Sequence, residues 1–417
     1  MTVPRLPALV AFVALAVVLV ALVALTTPWQ PLGPNVPHVP ADPARDFTPE
    51  QLARENAFHR AIRPPGFASL GIGLAVAALL GLTPLGARLI GAVGKGPWPV
   101  RAALGGLAVS LLPRLVTLPL DARREAVLRR YGLSTQSWGS WTVDQLKAAL
   151  VGGVLLVLVV VGLVGLARVA PRTWWAWGAL GAAALVAVAS YVFPLVVEPL
   201  FNRFTPLPDT PLRQELLDLA DRDGLPVKEI LVADASRRTT AVNAYVSGYG
   251  NTRRIVLYDT LLAQGSPAEV KLVVAHELGH VKTNDVPIQT AQGALAAATV
   301  VCGLFLLLAG GLPARVGADG PADPRVLALV LFAIGAVTFL SSPVQTLVSR
   351  RVEARADVHS LDLTGDVEAF VESEQTLAVS NLSDLDPHPL VYTWFFTHPT
   401  SPERIALARA WSEQRAR

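Results

Sequence analysis

"VVAHELGHVKTND", residues 273–285, carries two of the chain's seven histidines one helical turn apart. Positions i and i+4 share a helix face, so His276 and His280 can turn both imidazoles toward one cation. Glu277 sits one position round and reaches that cation's open side without binding it. This H-E-x-x-H order supplies two zinc ligands and a general base for a zinc-activated water. Just upstream, "SPAE" (266–269) marks a helix start. Ser266 suits the N-cap, Pro267 the first helical position, and Glu269 closes a capping box.

A catalytic zinc takes three protein ligands and keeps a fourth position open. In "VSRRVEARADVHS" (348–360), Glu353 and Asp357 are four apart and share a helical face. Glu353 can complete a His₂Glu set, and Asp357 can accept a hydrogen bond from a ligand imidazole and fix its tautomer. The competing reading is a solvated charged helix following an apolar span. His359 lies two positions past Asp357, hence on a different face. "YTWFFTHPTSPERIALA" (392–408) adds His398 and Arg404. Near a zinc, either could stabilise the oxyanion of a tetrahedral intermediate. On spacing alone, His398 reads as the cap of a helix starting near Pro402. His388, in "DPHPL", reads as a loop residue, and His38 and His59 are assigned no role.

The surroundings are those of a membrane protein. Of the 417 residues 52% are hydrophobic and only 16% charged, against about 25% charged in soluble domains. Stretches of about 20 apolar residues are long enough to span a bilayer. Seven candidates lie near 7–27, 67–87, 100–120, 148–167, 174–195, 288–310 and 326–345. The apolar core of the first is longer than the usual signal-peptide core, so a retained anchor is expected. The third contains Arg114, and an intramembrane arginine faces a protein interior or a water-filled cavity. Net charge is +3 and no basic run is interleaved with aromatics, so nucleic acid is not a partner. The lone Cys302 excludes a disulfide framework and a cysteine zinc site.

Arginine and lysine bias orients the chain. With the N-terminus outside, the inside loops hold Arg45, Arg54, Arg60, Arg63, Arg123, Arg124, Arg129, Arg130 and Lys147. The outside loops hold fewer, so the two large polar segments, 199–287 and 346–417, are expected to face the cytoplasm. In the first of them "LRQELLDLADRDG" has helical spacing ending at Asp223–Gly224. "EILVAD" and "RRIVLYD" read as strands, with a strand and turn in "NAYVSGYGN" between them.

These residues together resemble the type I CaaX prenyl proteases, zinc metallopeptidases of the membrane, and the chain looks like a bacterial member. The resemblance runs through "PLFNRFTPL", "NAYVSGYGNTRRIVLYDTLL", "HELGH", "SRRVEARAD" and "THPTSPERI", in that order. It implies one zinc per chain held by His276, His280 and Glu353, with Glu277 as base and Asp357 behind a ligand. It implies that His398 and Arg404 lie near the scissile carbonyl. Asn243, Ala244 and Tyr245 match the strand that would hold an extended peptide by β-augmentation. Where eukaryotic members carry serines and a histidine just before that strand, this chain reads "RRTTAV" (237–242).

The expected fold is therefore mainly α and polytopic. About seven transmembrane helices form a chamber and carry a gluzincin-like zinc protease domain with a small β-sheet. The expected division is 1–198, an N-terminal membrane domain of about five helices, and 199–417, a metallopeptidase domain interrupted by two. The partners are a peptide or protein substrate and the lipid bilayer, in a bacterial plasma membrane, with no obligate protein partner implied. Two other readings exist. One is a transporter or scaffold with a structural metal, but a structural zinc wants four protein ligands and three are found here. The other is an HtpX-type quality-control protease, which the five-span N-terminal half argues against.

Overall fold

The computed structural model describes residues 5–34, 36–37, 39–225, 227, 229–247 and 254–417. His38 and the turn expected at 248–251 lie outside the described residues. Among the described residues seven helices are long and apolar enough to cross a membrane. They are Leu6–Thr26, Pro49–Leu82, Trp98–Arg130, Trp138–Val169, Trp174–Phe201, Asp285–Leu308 and Pro324–Thr364.

Most of these helices run past the apolar windows that announce them, because a helix does not stop where hydrocarbon gives way to water. The second window, 67–87, is corrected. Its helix ends at Leu82, and Thr83 adopts φ −125° and ψ 166° before a new helix, Pro84–Val93. A residue preceding proline is driven out of the helical region, and the Thr83 hydroxyl then caps the next helix at Leu85 N. In the fifth span the helix Trp174–Val192 widens into a π-turn at Phe193–Val197. Pro194 has no N–H for the regular ladder there. The seventh span is continuous with the charged stretch after it, as one helix, Leu327–Thr364, of 38 residues. At 1.5 Å per residue it is about 57 Å long, enough to cross a bilayer and continue well beyond.

Adjacency among the spans makes a ring. The second, third, fourth and fifth follow one another, the sixth packs on the fifth, and the seventh joins the second to the sixth. The first lies against the sixth. In the most apolar window of Trp174–Phe201, 0% of the residues are buried. A helix in a ring has two neighbours and leaves both an inner and an outer face uncovered. Arg114 is exposed on the third span.

Contacts sort the loops into two ends. The 131–137 loop joins the polar segment through Thr135 N–H to Arg238 O and Thr240 N–H to Leu133 O. The 27–48 loop joins the C-terminal helix Ser401–Ala416, where Arg409 pairs with Asp46 and Gln414 donates to Leu32 O. At the opposite end Arg168 donates to Ala322 O at 3.0 Å, and Arg5 reaches Ala309 O.

The polar segment folds around a four-stranded sheet of β1 (Phe204–Pro206), β2 (Glu229–Ala233), β3 (Ala244–Ser247) and β4 (Arg254–Tyr258), in the order β1-β2-β4-β3. β2 and β4 are parallel, and β1 and β3 pair antiparallel at the two edges. Ile255, Val256 and Leu257 of β4 are fully buried, as a central strand covered on both faces requires. The helix Pro211–Arg222 and the motif helix Pro267–Lys282 cover one face through Leu216, Leu219, Val270, Val274 and Leu278. Each such buried Leu or Val contributes about 1.5–3 kcal/mol, which fixes the motif helix against the sheet.

Candidate metal centre

The motif helix begins as its sequence dictates. Ser266 Oγ accepts from Glu269 N–H at 3.3 Å, and Glu269 Oε2 accepts from Ser266 N–H at 2.6 Å. Gly279 sets its approach to the Leu327–Thr364 helix. A Cβ there would lie 3.1 Å from His359 Cβ and 3.2 Å from Ala356 Cα. The small residue lets the two helices close on one another and brings Glu353 to the histidines.

His276 and His280 stack edge to face, with ring centroids 4.9 Å apart. Their Nε2 atoms are 3.2 Å apart. Glu353 Oε2 lies 3.2 Å from His276 Nε2, and Oε1 lies 3.7 Å from His280 Nε2. All three side chains offer ligand atoms within 4.8 Å of one another. Each Nδ1 faces a carboxylate, Asp357 Oδ1 at 2.8 Å from His276 and Asp285 Oδ2 at 2.9 Å from His280. Each facing carboxylate oxygen accepts from Nδ1–H, so each ring, once neutral as a ligand must be, turns a bare Nε2 inward. Three acceptors then converge on one point.

The residues fit a zinc ion. Bonds of about 2.0–2.1 Å in a tetrahedron put ligand atoms about 3.3 Å apart, close to the separations found. The electrostatics also ask for a cation. Burial pushes both imidazoles down, but the carboxylates overcome it. Asp357 and Glu353 raise His276 to about 10, and Asp285 and Glu353 raise His280 to about 9.

Glu277 lies between two cavities. One of about 190 Å³ is lined by Val246, His280, Asn284, Gln289 and Glu353. The other, of about 100 Å³, is lined by Asn243, Leu272, His276, Phe370, Leu377 and His398. Burial pushes its carboxyl up, opposed by the two histidines, and the Val246 N–H bonds to it. The edge strand β3 therefore runs past Glu277 from one cavity to the other. Ala244 N–H on the free edge is held by Asn243 Oδ1 at 2.9 Å. The side chains of Ala244 and Tyr245 leave the cleft: Ala244 is buried, and the Tyr245 hydroxyl donates to Glu198 Oε2 at 3.0 Å.

His398 Nε2 lies 3.2 Å from Glu353 Oε2, with its side chain 60% exposed. It joins the cluster and does not cap the C-terminal helix, whose N-cap is Thr400. Arg404, expected near the scissile carbonyl, sits behind His276 and lines the second cavity together with Glu277 and His398. Its Nε and Nη2 donate to Asp357 at 2.9 and 2.5 Å, and its Nη1 pairs with Glu374 at 2.6 Å. Burial disfavours its charge, and Asp357 and Glu374 more than restore it. With both ends of the guanidinium engaged, its work is to hold Asp357. His359 faces away, bonding Asp223 Oδ2 at 3.0 Å.

Asp285, Glu374 and Arg355 are absent from the residues picked out by spacing. Asp285 stands in the motif stretch itself, but five positions past His280, which an unbroken helix would place off the shared face. Only a break at Asn284, with φ 56° and ψ 41°, turns it back.

Comparison with known proteins identifies the family. The family model "Peptidase family M48" matches residues 206–412. The model "CAAX prenyl protease N-terminal, five membrane helices" matches residues 35–203. The chain is 33% identical over 300 residues to the uncharacterized metalloprotease YhfN of Bacillus subtilis, covering 71% of this chain and 70% of that protein. It is 29% identical over 330 residues to CAAX prenyl protease 1 of Saccharomyces cerevisiae, covering 74% and 72%. The crystal structure of S. mikatae Ste24p superposes with a TM-score of 0.80 at 21% identity, covering 98% of this chain and 100% of that one. That likeness establishes the fold.

Proposed function

The chain belongs to peptidase family M48, among the type I CaaX prenyl proteases, and from that premise we propose that His276, His280 and Glu353 hold one zinc and Glu277 is the base of a membrane-embedded endopeptidase. One observation carries this reading: three acceptor atoms, two imidazole and one carboxylate, converge at tetrahedral spacing beside the separate carboxylate of Glu277. Zinc bound there would polarise a peptide carbonyl and make a water acidic enough to attack at neutral pH. Glu277 takes the proton from the attacking water and hands it to the leaving amine. Asp357, clamped by Arg404, fixes the His276 tautomer. His398, on the open side, donates to the oxygen that gains charge. The substrate lies extended along β3, replacing the Asn243 side chain at Ala244 N–H.

The test is metal dependence. Purified protein should cleave a fluorogenic peptide, lose that activity to a chelator, and regain it with about one zinc per chain. Activity that survives complete zinc removal would end the zinc reading. A chain carrying an isoprenylated cysteine near its C-terminus is the first substrate to try, because the yeast relative is described as a CAAX prenyl protease.

We divide the chain at 198/199, close to where the two family models meet, and place the protease half in the cytoplasm of a bacterial cell. Cysteines introduced at Asp209 and Glu413 should resist a membrane-impermeant thiol reagent in intact cells, while one at Lys95 reacts. The native Cys302 is buried and gives no background. Labelling at 209 and 413 with protection at 95 would invert the topology.

A further inference from the structure

The two histidines are held in matching ways from opposite sides. His276 Nδ1 meets Asp357, which Arg404 clamps. His280 Nδ1 meets Asp285, whose other oxygen accepts from Arg355 Nη2 and, at 3.0 Å, from Thr283 Oγ1. Both carboxylates are buried, Asp285 at 4% exposure and Asp357 at 0%.

We propose that Asp285 is the positioning residue for His280, delivered by the left-handed turn at Asn284 and held by Arg355. The proposal rests on the metal-site reading above. Its bland rival is that Asp285 is only the acidic first residue of the helix Asp285–Leu308. An acid serving its own helix start would accept from that helix's backbone N–H groups. No side chain caps this helix. The Asp285 carboxylate turns away, and its three donors come from the preceding helix, the turn and the seventh-span helix. The turn points the same way. Asn284 is one of two described non-glycine residues with positive φ, a conformation that L side chains disfavour and asparagine tolerates best after glycine. Such backbone is kept where surrounding structure demands it.

The chemistry follows from the tautomer. A carboxylate at Nδ1 keeps the proton there, makes Nε2 the more basic ligand and stops the ring from rotating. Arg355 holds the carboxylate aimed at Nδ1. Because Arg355 lies between Glu353 and Asp357 on one helix, that helix supplies the third ligand and steadies both histidines.

The experiment uses the full chain in detergent, with zinc affinity measured by chelator competition and thermal unfolding measured on zinc-free protein. Asp285→Ala should bind zinc about 10²-fold more weakly, and Asp285→Asn about 10-fold more weakly, because the amide oxygen still accepts from Nδ1 but lacks the charge. Arg355→Gln should weaken zinc less than Asp285→Ala. If the alanine variant does not fold, the isosteric asparagine variant carries the test. Wild-type affinity in both Asp285 variants overturns the proposal. So does a lower unfolding temperature with unchanged affinity, which would make Asp285 a packing residue. A wild-type chain that takes up no zinc would overturn the metal-site reading, and this assignment with it.

Discussion

Glu277→Gln should leave zinc content and thermal stability near those of the parent and lower peptide cleavage at least about 10²-fold, the low end for general acid–base catalysis. The substitution keeps the size of the side chain and an oxygen that can still accept the Val246 N–H. What it removes is the ability to take a proton. The parent carboxyl is raised by burial and lines both cavities, which is where the proposed mechanism needs a base for a water attacking a peptide on β3. Zinc by inductively coupled plasma spectrometry, unfolding by scanning fluorimetry and cleavage of one peptide decide the matter together. A scaffold or transporter with a structural metal would show no loss in this variant. Zinc lost along with the fold would make Glu277 structural. Zinc retained with undiminished cleavage would pass the proton to another group, with His398 the nearest candidate.

The fold was legible where the signal is local and periodic. Seven apolar windows and their charge bias need only hydropathy, and the capping box at Ser266–Glu269 needs only four residues. The ends of the spans were not legible, because hydropathy reports the solvent and not the helix. Thr83 before Pro84 was the available sign that the second window had to break. The two histidines of the proposed metal site were legible because i and i+4 is a rule of helices. Arg404 was legible as a residue of this neighbourhood but not by its partners, because its charge says what it can bind and not where it points; Asp357 and Glu374 take it. Asp285 was hidden by the very regularity that exposed the histidines. It becomes a neighbour of His280 only after the helix ends, and a single left-handed asparagine in thirteen quoted residues does not announce itself.

Glu353→Ala should strip the metal while His359→Ala keeps it, although the two positions lie six apart on one helix. Glu353 is 9% exposed and touches His276, His280 and His398 together. Its loss leaves two imidazoles where a zinc site wants three protein ligands, so affinity should fall by more than the roughly 10–100-fold that removing an outer partner costs. His359 points to Asp223 on the far side of the helix, and that hydrogen bond is the interaction it makes. Removing it costs about 0.5–1.5 kcal/mol of stability and should leave zinc content unchanged. His359→Ala should therefore melt earlier than the zinc-bound parent while keeping its zinc, and zinc-free Glu353→Ala should melt near the zinc-free parent. Zinc retained in Glu353→Ala and lost in His359→Ala would move the third ligand to the other face of the helix. The Leu327–Thr364 helix would then have to rotate by about 120° past Gly279, where the two helices lie so close that even an added Cβ would sit 3.1 Å from His359 Cβ and 3.2 Å from Ala356 Cα.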